Sequence, residues 1–378
     1  MDRQRRDGAA RLTLKRGQAA KEGGSLKILV LPGDGIGPEI TAATVKVLGA
    51  AKTRFGLPLD LVHDVVGHES YRRHGTTVRQ TLLDDAKSAD GVILGPTASL
   101  DFHDEGKGEI NPSKFFRKGL DLFANIRPSR TYAGLPGKVG EFDLVVVREN
   151  TEGFYADRNM EAGNSELLVT PDVAISLRRI TRHCCLRIAR AACDLAMRRS
   201  RRVTAVHKAN VLKVGDGLFL DACREVVAGY PEISYDTVIV DAMMAHVVRE
   251  PRRFDVVVTT NMFGDILSDL TAELSGSLGL GGSLNAGETH AMAQAAHGSA
   301  PDIAGQDVAN PFSLILSAAL LLGWYGRRAG GEAFVAAGAS IEATVTDAIA
   351  GGEATRDVGG RLSTSATAES LATRILAH

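Results

Sequence analysis

Cysteine is scarce in this 378-residue chain. The four present, Cys184, Cys185, Cys193 and Cys223, form no CxxC pair. So few in a chain this long make no disulfide framework, and they point to a reduced, cytoplasmic compartment. Excess charge is missing too: 44 Lys and Arg face 45 Asp and Glu, so no net field favours nucleic acid or an anionic membrane. No apolar run reads as long enough to span a bilayer. Internal repeats and low-complexity stretches are absent from the fold.

Residues 1–24 stand apart. They are Arg-rich and lack the hydrophobic segment of a secretory signal. Asp2, Asp7 and Glu22 argue against an organelle transit peptide. The stretch reads as a disordered tail. It has neither aromatic interleaving nor a folded basic patch to support nucleic-acid binding.

The remainder of the chain is long enough for two domains. "LKILVL" reads as a buried strand and "PEITAATVKVLGAAKTRFG" as the helix after it. Apolar strands recur in "DGVILG", "FDLVVVREN", "RRVTAVHK", "YDTVIVDAM" and "FDVVVTTN". Helical patterns lie between them, as over residues 171–200, and "PFSLILSAALLLGWYG" reads as a buried helix. Strands alternating with helices predict an α/β protein.

The first strand opens into "PGDGIGPE", an incomplete dinucleotide fingerprint. G-x-G-x-x-G needs its third glycine at position 38, which is Pro38. Proline there suits the first turn of a helix. The motif therefore predicts a tight strand-to-helix turn at the edge of a site, with the nucleotide held elsewhere.

Three groups of residues carry chemistry. In "TTNMFGDILSDL", Asp265 and Asp269 are four apart and share a face if the segment is helical. Asp241, at the end of "YDTVIV", is a third acid. Clustered carboxylates suit Mg²⁺ or Mn²⁺. Arg117 and Arg127 in "FFRKGLDLFANIRP", with Arg148 in "VVVREN", can hold a di- or tricarboxylic acid through paired hydrogen bonds. Tyr155 and Lys208 can serve as general acid and base.

"GDGIGPE", "LDLFANIRP", "VVRENTEGFY", "HKANVLK", "NMFGDILSD" and "HGSAPDIAGQDVANP" follow one another in this order. Together they resemble the β-decarboxylating dehydrogenases, among them the isocitrate, isopropylmalate, homoisocitrate and tartrate/D-malate enzymes. The resemblance covers residues 26 to about 365. It implies an α/β, non-Rossmann fold of the isocitrate/isopropylmalate dehydrogenase type. The large domain would be discontinuous (residues 25–123 and 276–378), with a small domain over 124–275 that carries the dimer interface and metal site. It also implies a homodimer whose clefts are shared. Arg117, Arg127 and Arg148, with Ser113, would bind substrate. Asp265 and Asp269 would hold the metal with the partner subunit's Asp241. The partner subunit's Lys208 would take the C2 hydroxyl proton, and Tyr155 would help protonate C3.

The resemblance further places the cofactor at His297, Gly298, Ser299, Ala300, Asp302, Ile303 and Asn310. Asp302 would face the adenosine ribose, where a carboxylate accepts from both hydroxyls and repels a 2′-phosphate. NADP-specific relatives carry Lys-Tyr at Asp302-Ile303, so NAD is expected. One departure is "AQAAHGSAP" where many relatives have "FEPVHGSAP": Gln294 replaces a Glu, and NAD binding is expected to be differently tuned.

Isopropylmalate enzymes place leucines three and four positions before the first arginine. Here those positions hold Lys114 and Ser113, which would penalise an isopropyl group. "RENTEG" also differs from their "RELTGG". Isocitrate enzymes carry a Ser and an Asn in this region, and Ser113 is slightly offset from that pattern. A polar C3 substituent of the isocitrate, homoisocitrate, tartrate or D-malate type is expected. The alternatives are 3-isopropylmalate, or a non-catalytic subunit of a heteromeric NAD-isocitrate dehydrogenase. Retention of Tyr155, Lys208 and all three acids argues for catalysis.

Overall fold

The computed structural model describes residues 25–135, 137–155, 165–329 and 331–377. The stretch read as a tail lies outside the described residues. The chain begins with β1 (Leu26–Leu31), α1 (Gly37–Phe55), β2 (Leu59–His63), α2 (His68–His74), α3 (Thr81–Ser88), β3 (Gly91–Leu94) and α4 (Pro112–Gly119). It continues through β4 (Ala124–Arg130), β5 (Asp143–Glu149), β6 (Glu166–Thr170), β7 (Val173–Ser176), α5 (Arg182–Ala196), β8 (Arg202–His207) and α6 (Lys213–Val227). Next come β9 (Ser234–Ile239), α7 (Val240–Arg249), β10 (Val256–Thr259) and α8 (Asn261–Leu274). It closes with β11 (Leu284–Ala286), β12 (Ala291–Gln294), α9 (Phe312–Ala329), α10 (Glu332–Ala350) and α11 (Thr364–Ala377).

One sheet of ten strands runs β2-β1-β3-β12-β11-β4-β5-β10-β8-β9. Its two wings are parallel. The middle, β12-β11-β4-β5, is antiparallel. Each wing is covered on both faces. Ile28 and Val30 of β1 enter a core with α1 and α9–α11, while Leu29 and Leu31 enter another with α3 and α4. In the second wing, Val145 and Val147 of β5 pack with α5 and α6, and Leu144 and Val146 with α7 and α8. This is strand alternation with period two, applied to a sheet buried on both sides. Pro128 sits in β4 where β11 no longer pairs with it, since that ladder ends at Ile126, so its missing N–H is tolerated.

The glycine turn forms as expected, with Pro38 in the first turn of α1. Gly33 and Gly35 adopt positive φ (76° and 57°). A side chain on Gly35 would place its Cβ 1.9 Å from the Ser299 carbonyl oxygen. The Ile36 N–H donates to that same oxygen at 2.8 Å. The turn is thus braced directly against the loop read as the cofactor site.

Three readings need correction. Residues 171–200 do not form one helix: the β-branched "VAIS" pairs as β7 with β6. The helix begins only after Thr181, whose hydroxyl oxygen accepts from the Cys184 N–H. Asp241 does not end a strand but lies in the first turn of α7. Finally, α10 is long and apolar enough by composition to cross a membrane. It buries Phe334, Ile341, Val345 and Ile349 in the core shared with α9 and α1, so packing within the fold accounts for its apolar character.

Candidate active site

The antiparallel middle of the sheet positions one cleft. Arg127 projects from β4, Arg148 from β5 and Gln294 from β12, while α4 contributes Ser113, Lys114 and Arg117. All six line the cleft, together with Tyr155, Asp265, Thr97, Ser99, Asn111 and His297. Its volume is about 290 Å³. Among the described residues the aliphatic ones in its wall are Pro96, Ala295 and Ala296, and no branched apolar side chain is among them.

α4 is anchored by Asn111, whose Oδ1 accepts from the Lys114 N–H at 3.1 Å. The Lys114 ammonium pairs with Glu105 at 3.0 Å. Arg148 is 2% exposed. Its Nε donates to Asn261 Oδ1 at 2.9 Å and its Nη1 binds Asp265. This requires α8 to lie close on β5, and Gly264 permits it: a Cβ there would fall 2.7 Å from Arg148 Cβ. Arg127 Nη1 donates to Ser268 Oγ (2.8 Å) and Asp269 Oδ1 (2.9 Å), and lies 3.5 Å from Asp265 Oδ1. The buried Arg127 Nε has no hydrogen-bond partner among the described residues. The Tyr155 hydroxyl donates to Asp265 Oδ2 at 3.3 Å, and its ring faces the Arg148 guanidinium.

The two acids on α8 are tuned in opposite directions. Burial pushes Asp265 up, but Arg148, Arg127 and Arg117, with the Tyr155 hydroxyl, outweigh it and hold the carboxyl below its usual range. At Asp269 burial prevails over Arg127, and the carboxyl is raised.

Lys208 and Asp241 are absent from this cleft's lining. They form an ion pair with each other, and Asp241 is 67% exposed. That hydrogen bond to Lys208 holds Asp241 below its usual range. Among the described residues, no group of three His, Cys, Asp or Glu side chains within one chain can hold a metal. Asp216, which the sequence reading missed, is fully buried. It accepts from the Lys208 backbone N–H at 2.5 Å and from Arg178 Nη2 at 2.6 Å.

The loop read as the cofactor site borders the cleft through His297 and Gly298. His297 Nδ1 lies 3.0 Å from the Gly298 carbonyl, and its buried Nε2 has no partner among the described residues. Burial pushes its pKa down. The neutral ring thus donates from Nδ1 and offers a lone pair at Nε2. Ala300 takes the left-handed conformation before the short turn Pro301–Ile303. Asp302 is exposed there, and Ile303 packs partly onto the core. Asn310 Nδ2 donates to Asp357 at 2.8 Å.

A family model described as isocitrate/isopropylmalate dehydrogenase matches residues 27–373. The chain belongs to the isocitrate/isopropylmalate dehydrogenase family. It is 40% identical over 339 residues to a 3-isopropylmalate dehydrogenase of Archaeoglobus fulgidus, covering 89% of this chain and 96% of that one. It is 39% identical over 350 residues to an isocitrate/homoisocitrate dehydrogenase of Thermus thermophilus, covering 91% and 97%. The crystal structure of isocitrate dehydrogenase from Methylococcus capsulatus superposes with a TM-score of 0.82 at 38% identity, covering 93% of this chain and 99% of that one.

As a member of the isocitrate/isopropylmalate dehydrogenase family, the chain is a decarboxylating dehydrogenase. The family uses a nicotinamide cofactor with Mg²⁺ or Mn²⁺ and acts on small hydroxy acids. The motifs that identify it also hold the supports of the site: Asn261 and Ser268, which orient Arg148 and Arg127, fall inside "NMFGDILSD".

Proposed function

We propose that this chain oxidatively decarboxylates a malate-type 2-hydroxy acid that carries a polar C3 substituent or, like D-malate, none at all, using NAD and Mg²⁺ or Mn²⁺. The observation that carries the reading is the cleft itself. Three arginines converge with Tyr155 and Asp265 in about 290 Å³, and among the described residues polar side chains, not branched apolar ones, line the wall. Arg117, Arg127 and Arg148 bind the substrate carboxylates, and the buried Arg127 Nε is a donor that such a carboxylate would satisfy. Lys114 and Ser113 flank the C3 substituent. An isopropyl group would take water from these polar groups and give them no hydrogen bond in return.

Asp265 and Asp269 suit a hard divalent cation: they are oxygen donors one turn apart on α8. Among the described residues a single chain supplies no third ligand beside them, so the partner subunit's Asp241 is assigned as the third. The orphaned acceptor at His297 Nε2 fits a donor on the cofactor, and the cofactor site comprises His297, Gly298, Ser299, Ala300, Asp302, Ile303 and Asn310. Exposed Asp302 favours a free ribose over a 2′-phosphate.

When bound, the nicotinamide would supply a hydride acceptor and the metal would supply Lewis acidity. The partner subunit's Lys208 removes the C2 hydroxyl proton. Tyr155 holds its hydroxyl proton against Asp265 and delivers a proton to C3 once CO₂ has left. A second copy is needed for this, and the surface suits one. Val211 and Val214 beside Lys208, Val248 on α7 and Ile266 on α8 are exposed, as are Leu168, Val169 and Ile175 on β6 and β7. The split of the hydrophobic cores between the wings supports a discontinuous large domain (25–123 and 276–378) and a small domain (124–275).

NADH production with Mn²⁺ across 2-hydroxy diacids and triacids tests the reading. Isocitrate, homoisocitrate, tartrate or D-malate should be the best substrate, and preference for 3-isopropylmalate would contradict it. Asp302→Lys with Ile303→Tyr should move preference from NAD toward NADP. A wild type that reduces both equally would refute the cofactor assignment.

A further inference from the structure

Gln294 stands where the family resemblance leads one to expect Glu. The two side chains match in shape but not in what they offer: an ionised Glu only accepts, whereas Gln accepts at Oε1 and donates at Nε2. Which end of this amide faces the cleft is settled by its neighbours.

Three donors converge on Gln294 Oε1: Arg117 Nη2 at 3.0 Å, Ser113 Oγ at 3.1 Å and Asn285 Nδ2 at 3.4 Å. A guanidinium has no acceptor, so Arg117 alone requires oxygen on that side. Asn285 agrees independently. Its Oδ1 accepts from Asn125 Nδ2 and Asn150 Nδ2, both at 3.0 Å. Asn150 is oriented in turn by donating to the Leu122 carbonyl oxygen at 3.0 Å. A backbone carbonyl at one end of the network and an arginine at the other leave no freedom to flip the amide.

The Nε2 group must therefore point away from Arg117. It makes no hydrogen bond among the described residues, and it is not among the buried atoms that lack a partner. Gln294 is only 8% exposed, and it lines the cleft. The sequence reading tied this residue to cofactor tuning. The structure also joins it to α4, the helix that carries the first substrate arginine.

We propose that Gln294 is a specificity-determining residue: its Oε1 holds Arg117 and Ser113 in place, while its Nε2 donates to an oxygen on the C3 substituent of the substrate. This rests on the substrate reading above and narrows it to acids whose C3 substituent carries oxygen, a hydroxyl or a carboxylate. D-malate, with no C3 substituent, leaves the donor without a partner.

The test compares wild type, Gln294→Glu and Gln294→Met on isocitrate, tartrate, D-malate and 3-isopropylmalate with NAD and Mn²⁺. Turnover and ligand-induced rise in melting temperature are recorded for each. Gln294→Met frees Arg117 and Ser113 as well, whereas Gln294→Glu keeps an acceptor for both and removes only the Nε2 donor, so the two variants together separate the donor from the support. The informative quantity is kcat/KM for the best oxygen-bearing acid divided by kcat/KM for D-malate. That ratio should fall about 10- to 100-fold in both variants, the usual worth of a hydrogen bond to a charged acceptor. A uniform loss across all four acids would reduce Gln294 to a support for Arg117 and overturn the inference alone. So would a wild type that prefers D-malate. A wild type that prefers 3-isopropylmalate overturns the inference and the substrate reading together. So does one that is neither active with nor stabilised by any oxygen-bearing acid.

Discussion

The arginine cleft and the Lys208–Asp241 pair contain the same kinds of group, yet they are built differently. In the cleft, Arg148 is buried, held by Asn261 and Asp265, and overlaid by an α8 that Gly264 brings into contact. Asp241 is two-thirds exposed, and its ammonium partner lies beside the exposed Val211 and Val214. Only the backbone of Lys208 is fixed internally, by the buried Asp216. A charge cluster completed within one chain is desolvated and pre-oriented. A pair left on the surface next to apolar side chains lacks the environment that would make it catalytic, and a second copy of the chain would provide it.

The contrast is broken most sharply by paired substitutions. Lys208→Ala should lower kcat by about 10²–10⁴-fold, the range for loss of a general acid or base, and leave the melting temperature unchanged. Arg148→Met should abolish turnover and also destabilise the fold by about 2–3 kcal/mol. That is below the 3–5 kcal/mol for breaking a fully buried pair, because Asp265 keeps about a third of its side chain exposed. Steady-state kinetics with differential scanning calorimetry separate the two. Equal stability losses would remove the distinction.

A smaller effect tests the close approach of α8. Gly264→Ala puts a Cβ against Arg148, so the helix must move outward. The expected cost is about 1–3 kcal/mol, as for other overpacked sites, together with a loss of kcat/KM. A neutral substitution would show that the contact does not position Asp265.

The smallest effect is in pH. Asp265 lies below the usual carboxylate range, so its pairing stabilises the fold at neutral pH and is lost only as pH falls through the lowered pKa. Asp269 is raised, so it takes up a proton first on acidification. Mn²⁺ affinity, followed by electron paramagnetic resonance, should start to fall while Asp265 is still ionised. In Asp269→Asn the remaining pH dependence should begin at lower pH. An unchanged onset would contradict the assignment of Asp269 as a ligand.

The sequence showed the glycine turn, the helix that pairs Asp265 with Asp269, and the arginines that meet in the cleft. Each of these is written in a short contiguous motif whose periodicity is set by backbone geometry. The reading failed at 171–200, where a cap at Thr181 and pairing with β6 overrode a helix-like pattern. Gln294 reads in sequence only as a neighbour of the cofactor motif, and its tie to α4 does not show there. Its hydrogen bond to Ser113 spans 181 positions and joins β12 to α4, a contact made only in the folded chain. The Asp216 support was also illegible, since a buried acid on α6 shows in sequence only as one polar residue in a helix.

The central claim is that each active site is shared between two chains, and mixed dimers test it directly. Lys208→Ala and Asp265→Asn chains, each inactive alone, are allowed to exchange, and exchange is verified by native mass spectrometry. In a mixed dimer one cleft receives both defects and the other neither, so activity per mixed dimer should approach half that of wild type. Background activity in a sample of confirmed mixed dimers would contradict the shared site.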